Sequence, residues 1–264
     1  MGQPIDTAEY TAHMRAMWGE GDYTGLAGRL APAAAELVES LAPEPGTRVL
    51  DLAAGTGNVA ILAAARGAHV VAVDLSPRMV ELGRARTEGL PVEWHEADAE
   101  QLPLGDGTLA SALSAFGVIF APRPEVALAE TRRVLVPGAT FAFTVWRPDG
   151  FVAEMTTLMQ RWQPVPPGVA DVLDWGRADV VAGWLAKAGF GSVTLRSAAL
   201  PWEFDSPQAM TRFLLDHSPT HRAAQASLGE RAGEMFAAVE ELAGPAGEPV
   251  RIEAGYAVVT AVAG

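Results

Sequence analysis

Arg48-Val49-Leu50-Asp51-Leu52-Ala53-Ala54-Gly55-Thr56-Gly57-Asn58 is the stretch on which the fold turns. Residues 48–52 form a short apolar run interrupted only by Asp51, the pattern of a strand buried on both faces. Ala54-Gly55-Thr56-Gly57 is a tight turn of small residues, and 58–66 reads as a helix stopped by Gly67. Small residues in such a turn let the backbone approach a ligand closely, and the helix N-terminus offers free N–H groups. Outward from this unit the pattern repeats. His69–Asp74 (HVVAVD) is a second buried strand, and Ser76-Pro77 opens a helix in the N-cap and N1 arrangement. Further strands are expected at 92–95, 109–115 and 140–146, with a helix over 124–136 stopped by Pro137-Gly138. Strand and helix thus alternate through 47–146, which predicts a parallel sheet with helices on both faces. Ligands bind such sheets beyond the carboxyl ends of the strands, where the strand order reverses.

The flanks read differently. Helices are expected at 7–18 and 26–41. Residues 151–177 are rich in Trp, Pro and Met and show no strand pattern. A helix at 179–188, a strand at 192–198, helical segments over 206–243 split near Ser218-Pro219, and a strand at 256–262 follow. The expectation is one α/β domain over 1–264, a Rossmann-like seven-stranded sheet whose last strand is antiparallel. Within it, 1–45 is a helical cap, 46–150 the ligand-binding core, and 151–177 and 201–248 lid or substrate segments.

The chain has 264 residues, 49% hydrophobic and 19% charged, enough to bury a core. Its net charge of −13 opposes binding to polyanions, so no nucleic-acid partner is expected. Cysteine is absent, which excludes disulfides, thiolate metal sites and a cysteine nucleophile. Lys187 is the single lysine and sits in an ordinary helical pattern, so Schiff-base chemistry is not expected. The N-terminus lacks the basic and apolar regions of a signal peptide, and no uninterrupted apolar run of membrane-spanning length occurs. A cytoplasmic protein acting on a small molecule, with no membrane partner, is the expectation; a homodimer is compatible with it.

Asp74 ends the second strand, where a carboxylate can accept both hydroxyl protons of a ribose. Two ligands compete for this reading. Gly55-x-Gly57-x-x-Ala60 followed by Asp74 fits a dinucleotide fingerprint. Asp51 at the first strand end, placed to balance an amino acid's ammonium, and Asp98 after the third strand, placed to accept from an adenine amine, favour S-adenosylmethionine instead.

Taken with Gly21-Asp22-Tyr23, the segment from Val73 to Met79 (VDLSPRM), Ala97-Asp98-Ala99-Glu100-Gln101-Leu102-Pro103, the SAFGVIFAP run starting at Ser114, and Arg133-Val134-Leu135-Val136-Pro137-Gly138, the sequence resembles class I S-adenosylmethionine-dependent methyltransferases. It is most similar to the branch holding ubiquinone and menaquinone C-methyltransferases and small-molecule methyltransferases. The resemblance implies that Ala53, Gly55 and Gly57 line the methionine end of the cofactor and that Asp74 holds the ribose. It implies that Leu75 and Met79 pack on the adenine, that Asp98 and Ala99 meet its edge, that Ser114 offers backbone to the methionine moiety, and that Tyr23 closes over the cofactor. Ala53 replaces the family's first glycine, which fits if that residue keeps a negative φ.

No motif encodes the acceptor. Ser114-Ala115-Phe116-Gly117 stands where a base-methylating enzyme carries Asn/Asp-Pro-Pro-Tyr/Phe, and no carboxylate cluster of magnesium spacing is evident, so metal-independent transfer is expected. Aromatic and apolar residues at 146–175 and 202–215 suggest a hydrophobic or aromatic acceptor, in secondary-metabolite or quinone-precursor tailoring, with Trp146 and Phe116 as its contacts. A general base is expected only where the nucleophile needs deprotonating. His217 is then the first candidate, at the end of an apolar helical run, with His221 and His13 as alternatives. Two other functions stay open: a cofactor-binding protein that transfers no methyl or directs a cyclisation, and a nicotinamide-dependent oxidoreductase.

Overall fold

The computed structural model of the protein describes residues 7–264. In chain order the elements are α1 (Thr7–Met17), α2 (Thr24–Leu41), β1 (Arg48–Leu52), α3 (Asn58–Ala65), β2 (His69–Asp74), α4 (Pro77–Arg86), β3 (Val92–Glu96), β4 (Leu109–Ala115), α5 (Pro124–Val134) and β5 (Leu135–Trp146). They continue with α6 (Phe151–Met159), α7 (Ala178–Lys187), β6 (Phe190–Phe204), α8 (Pro207–His217), α9 (Pro219–Leu228), α10 (Ala232–Ala243) and β7 (Val250–Ala263). The strands form one seven-stranded sheet in the order β3-β2-β1-β4-β5-β7-β6. Strands β1 to β5 pair in parallel, and β7 runs antiparallel to both of its neighbours. This is the sheet expected from the sequence.

Its centre is apolar on both faces. Val49, Leu50 and Leu52 of β1 are buried, as are Val70, Val71 and Val73 of β2 and Phe141, Phe143 and Val145 of β5. Such strands need a helix layer on each side. Ser76 caps α4 by accepting from the Met79 amide, with Pro77 at the first helical position, so the chain leaves β2 in the geometry the sequence signalled.

Several boundaries differ from expectation. Helix α5 ends at Val134, and β5 starts at Leu135, which pairs with Leu109 before a register shift sets Thr140 opposite Ser111. Pro137 and Gly138 (φ 81°) therefore form an irregularity inside a strand instead of a helix stop. Strands β6 and β7 are longer than their apolar cores suggest. They zip together from Phe190 opposite Ala263 to Phe204 opposite Val250, and Pro201 is tolerated because β6 is an edge strand. Residues 201–204, expected to begin the lid, thus belong to the sheet. The helical stretch after them has three pieces, with a second break at Gly229 (φ 55°). Residues 151–177 contain α6. The first six residues of the expected 1–45 cap lie outside the described residues.

Helix α4 is seated by an aromatic plug. Trp94 of β3 donates its indole N–H to Thr87 Oγ1 at 2.9 Å. A Cβ built on Gly83 would lie 2.1 Å from that ring, and one on Gly57 would lie 3.0 Å from it. Glycine to alanine inside a helix ordinarily gains about 1 kcal/mol. Here overpacking, at about 1–3 kcal/mol, opposes it, and the pinned indole has little room to retreat. Gly83→Ala is expected to lower the melting temperature by several degrees, at roughly 2–4 °C per kcal/mol. A thermal melt checks this; an unchanged or raised midpoint would mean that Trp94 swings aside freely.

Candidate active site

The strand order reverses between β1 and β4, and the chain leaves their carboxyl ends in opposite directions. A cavity of about 1060 Å³, counting its open mouth, lies there. Its floor is the turn after β1 (Asp51, Ala53, Ala54, Gly55, Thr56), the end of β2 (Val73, Asp74, Leu75) and the loop after β3 (Ala97, Asp98, Ala99). The turn after β4 supplies Phe116, Gly117 and Phe120, α4 supplies Met79, and the N-terminal segments cover it with Tyr10, Thr11, Met14, Trp18, Tyr23, Leu30 and Ala34.

Two non-glycine residues in this floor hold left-handed backbone. Ala53 has φ 52° and Phe116 has φ 55°. The condition under which alanine fits without strain is therefore not met: the position has positive φ, and alanine occupies it at a steric cost. For Phe116 the conformation is costlier still, and such strain concentrates at ligand sites. Neighbouring groups fix it. The Phe116 amide donates to Thr144 Oγ1 at 2.9 Å, and Ser114 Oγ donates to the Leu52 carbonyl at 2.7 Å while accepting from the Val118 amide at 3.0 Å. A Cβ on Gly117 would fall 2.4 Å from the Ala53 carbonyl oxygen, so the two strained turns touch and a glycine is required between them.

Asp74 accepts from the Gly55 amide at 2.7 Å through one carboxylate oxygen and from the Ser76 amide at 2.9 Å through the other. Asp51 accepts from the Ala60 amide at 2.9 Å, inside the first turn of α3. Both are nine-tenths or more buried, and no cationic side chain pairs with either among the described residues. Burial pushes Asp51 up to about 8, helped by the charge of Asp74. Burial likewise pushes Asp74 up to about 6, against the pull of its backbone donors. Asp98 is anchored by the Glu100 amide at 2.9 Å. Glu100 itself is buried in an ion pair with Arg123, which ties this loop to the start of α5. The Tyr23 hydroxyl is raised by burial and by Asp74, so it stays protonated.

Of the residues expected to hold the cofactor, Tyr23, Asp51, Ala53, Gly55, Asp74, Leu75, Met79, Asp98 and Ala99 all line this one cavity. Gly57 and Ser114 do not line it. Gly57 (φ 85°) starts α3 beside Trp94, and Ser114 braces the turns from behind. Phe116 is in the wall, whereas Trp146 stacks on its far side, 4.2 Å between centroids. None of the three candidate histidines lines the cavity. The His217 ring packs against Phe213 and Gly25, its Nδ1 3.0 Å from the Asp22 carbonyl oxygen. His221 is buried on α9 with Nδ1 2.8 Å from Ser218 Oγ, and burial pushes it down to about 4. His13 faces outward on α1. The expected histidine base thus has no histidine at the cavity to fill it.

Sequence reasoning missed the cover residues Tyr10, Thr11, Met14 and Trp18, for which only helical periodicity was available. It also missed Arg86, at the end of α4. Its guanidinium donates to the Thr56 carbonyl and to Thr56 Oγ1, both at 2.7 Å, and to Asn58 Oδ1 at 3.1 Å. Asn58 Nδ2 in turn donates to the Ala27 carbonyl of α2 at 2.7 Å.

The raised acids make a pH prediction. Between the ordinary aspartate value of 3.8 and about 8, folded Asp51 keeps a proton that the unfolded chain has lost. Stability of the ligand-free protein therefore falls as pH rises through this window, with Asp74 adding to the fall up to about 6. Asp51→Asn is expected to flatten the dependence of melting temperature on pH between about 5 and 8. An unchanged slope would assign the dependence to other groups.

A family model described as a methyltransferase domain matches residues 49–138, the segment that builds the floor. An uncharacterized protein of Mycobacterium tuberculosis is 35% identical over 226 residues, 83% of this chain and 81% of that protein. The demethylmenaquinone methyltransferase of Clavibacter sepedonicus is 34% identical over 179 residues, 60% of this chain and 71% of the relative. Among solved structures, the geranyl diphosphate C-methyltransferase of Streptomyces coelicolor, bound to S-adenosyl-L-homocysteine, shares the fold with a TM-score of 0.53 at 14% identity, over 88% of this chain and 75% of that one. The buried carboxylates with no cationic partner, the turn of small residues and the relatives agree: the chain belongs to the class I S-adenosylmethionine-dependent methyltransferases.

Proposed function

We propose that this enzyme transfers the methyl group to a small hydrophobic or aromatic molecule, in the tailoring of a secondary metabolite or quinone precursor. It would act in the cytoplasm, as monomer or homodimer, with neither nucleic acid nor membrane as partner. The observation that carries the reading is one cavity with two chemically distinct walls. Asp51, Asp74 and Asp98 line the sheet side, Met14, Trp18 and Leu30 line the covering side, and Phe116 and Phe120 of the turn after β4 stand between them.

S-adenosylmethionine, when bound, supplies an electrophilic methyl on a sulfonium. The residues present fit it. Asp51 is a buried acid awaiting a cation, and ionises against the donor's ammonium. Asp74 has its oxygens aligned by Gly55 and Ser76, leaving lone pairs for two ribose hydroxyls. Asp98 and Ala99 stand at the adenine edge, Leu75 and Met79 pack on its face, and Tyr23 lies across Gly55, whose Cβ position is 3.5 Å from its ring. Gly57 and Ser114 hold these groups in place from outside the cavity. The apolar cover from α1, α2 and the segment between them excludes water and aligns the acceptor, which supplies several kcal/mol of the barrier reduction. The segments 151–177 and 201–248, expected as lid, put no residue into the cavity lining.

Titration calorimetry with S-adenosylhomocysteine tests the donor half. Asp74→Ala removes an acceptor of charged hydrogen bonds, each worth about 1.5–3 kcal/mol before relaxation. Affinity is expected to fall at least tenfold while the fold persists. Equal affinity in the variant would remove Asp74 from the site. Product mass with a panel of aromatic acceptors tests the acceptor half.

A further inference from the structure

The cover is built from apolar and aromatic side chains. Trp18 meets Phe120 edge-on at 4.9 Å and Tyr23 edge-on at 5.8 Å. Phe116 is held against Trp146 behind it. Among the described residues the whole cavity lining holds three carboxylates (Asp51, Asp74 and Asp98) and two phenols, and no lysine, arginine or histidine. Residues 1–6 contain none of the three basic types either. Guanidiniums adjacent in sequence to the lining are turned to other partners, Arg29 to the Glu203 carbonyl and the rings of Phe204 and Phe213, and Arg78 to Glu81. Arg123 is on Glu100 and Arg15 on Glu96. Arg86 stands outside the lining, behind two of its residues, Thr56 and Asn58.

This distribution bears on what can enter. A carboxylate or phosphate on the acceptor would be desolvated with no cation to meet it and with acids on the opposite wall, an arrangement proteins avoid. The donor brings one net positive charge, and the carboxylates still outnumber it. An attacking phenolate meets the same obstacle. A neutral hydroxyl would become an oxonium and need a base during transfer; the lining offers only Asp51, Asp74 and Asp98, which on the reading above are taken up by the donor's ammonium, ribose and adenine.

We propose that the acceptor is an uncharged aromatic molecule that attacks through a neutral nitrogen, the positive charge passing from sulfur to nitrogen and remaining between the aromatic cover and the acidic floor. The proposal rests on the methyl-transfer reading above and narrows it. The nitrogen lone pair forms the N–CH3 bond as the S–CH3 bond breaks, and that bond's electron pair stays on sulfur. Total charge is unchanged, so the cavity never has to desolvate a new ion. Rings of Trp18, Tyr23, Phe116 and Phe120 favour a cation near their faces where water is excluded. Where the nitrogen carries a hydrogen, its proton leaves to water after release, and no side-chain base is needed.

The test is two-stage calorimetry on the full chain at a pH where quinoline is neutral. S-adenosylhomocysteine is titrated first. Quinoline, N-methylquinolinium and quinoline-2-carboxylate, three probes of one shape and three charges, are then titrated into the saturated complex. Quinoline and its N-methyl cation are expected to bind, and the carboxylate at least tenfold more weakly than quinoline. Trp18→Leu and Phe120→Leu should each weaken the cation at least threefold more than the neutral probe. Binding of the carboxylate as tight as that of quinoline overturns the proposal, and so does failure of all three probes to bind at millimolar concentration. Failure of S-adenosylhomocysteine in the first stage instead overturns the donor reading, and the order of titration keeps the two failures apart.

Discussion

The carboxylate of Asp74 fastens the turn after β1 and the cap of α4 to the end of β2. It ends β2, receives the amide of Gly55 from the turn after β1, and receives the amide of Ser76 from the cap of α4. Hydrogen bonds to a buried carboxylate are stronger than neutral ones, so this side chain reinforces the ladder between β1 and β2 and the bond from the Ala54 amide to the Val73 carbonyl at the strand ends that face the cavity. It does so without a cation. Burial raises its affinity for a proton, and that of Asp51 beside it. The protein thus carries two desolvated acids whose natural complement is a positively charged, hydrogen-bond-donating ligand. The folded chain holds them because helix and strand termini supply amides that side-chain cations supply elsewhere.

Strain is the second feature of the floor. Ala53 and Phe116 adopt backbone that only glycine adopts freely, and Gly117 lies close enough to Ala53 that even one added carbon collides. What over-determines these conformations is a set of buried hydroxyls. Thr144 receives the Phe116 amide, and Ser114 bridges the end of β1 to the turn after β4. Both are fully buried polar groups, and each would be costly without its partners. The strained turn brings the Phe116 ring to the cavity wall, where Trp146 and Tyr256 pack behind it.

The sheet was legible because its central strands are short apolar runs bounded by Gly, Pro and Ser-Pro, signals that act locally. The floor was legible for the same reason: Asp51, Gly55, Asp74 and Asp98 each stand at a strand end, and strand ends on one edge of a parallel sheet converge. The lengths of β6 and β7 were not legible. Their outer halves alternate small, polar and aromatic residues, and they become strand by pairing with each other, a contact between distant parts of the chain. The left-handed φ of Ala53 was hidden because alanine gives no signal for it; the signal lay in its place in the glycine turn. The histidines were misplaced because a helix end and an apolar neighbour describe a histidine buried between helices as well as one at a site. His221 is the former, packed over Phe236 with Nε2 unpartnered.

Arg86 explains how the cover and the floor keep register. It sits one turn beyond Gly83, the glycine that seats α4 on Trp94, so its starting point is fixed by packing. From there it closes on the carbonyl and hydroxyl of Thr56 and on Asn58, and Asn58 reaches the Ala27 carbonyl of α2. A planar fork with several donors suits this role better than a point charge does. Helix α2 also carries Leu30 and Ala34 into the cavity wall. The acidic floor and the apolar cover are therefore connected through the glycine turn itself. A displacement of that turn would move the α2 wall with it, because the same asparagine is bonded to both.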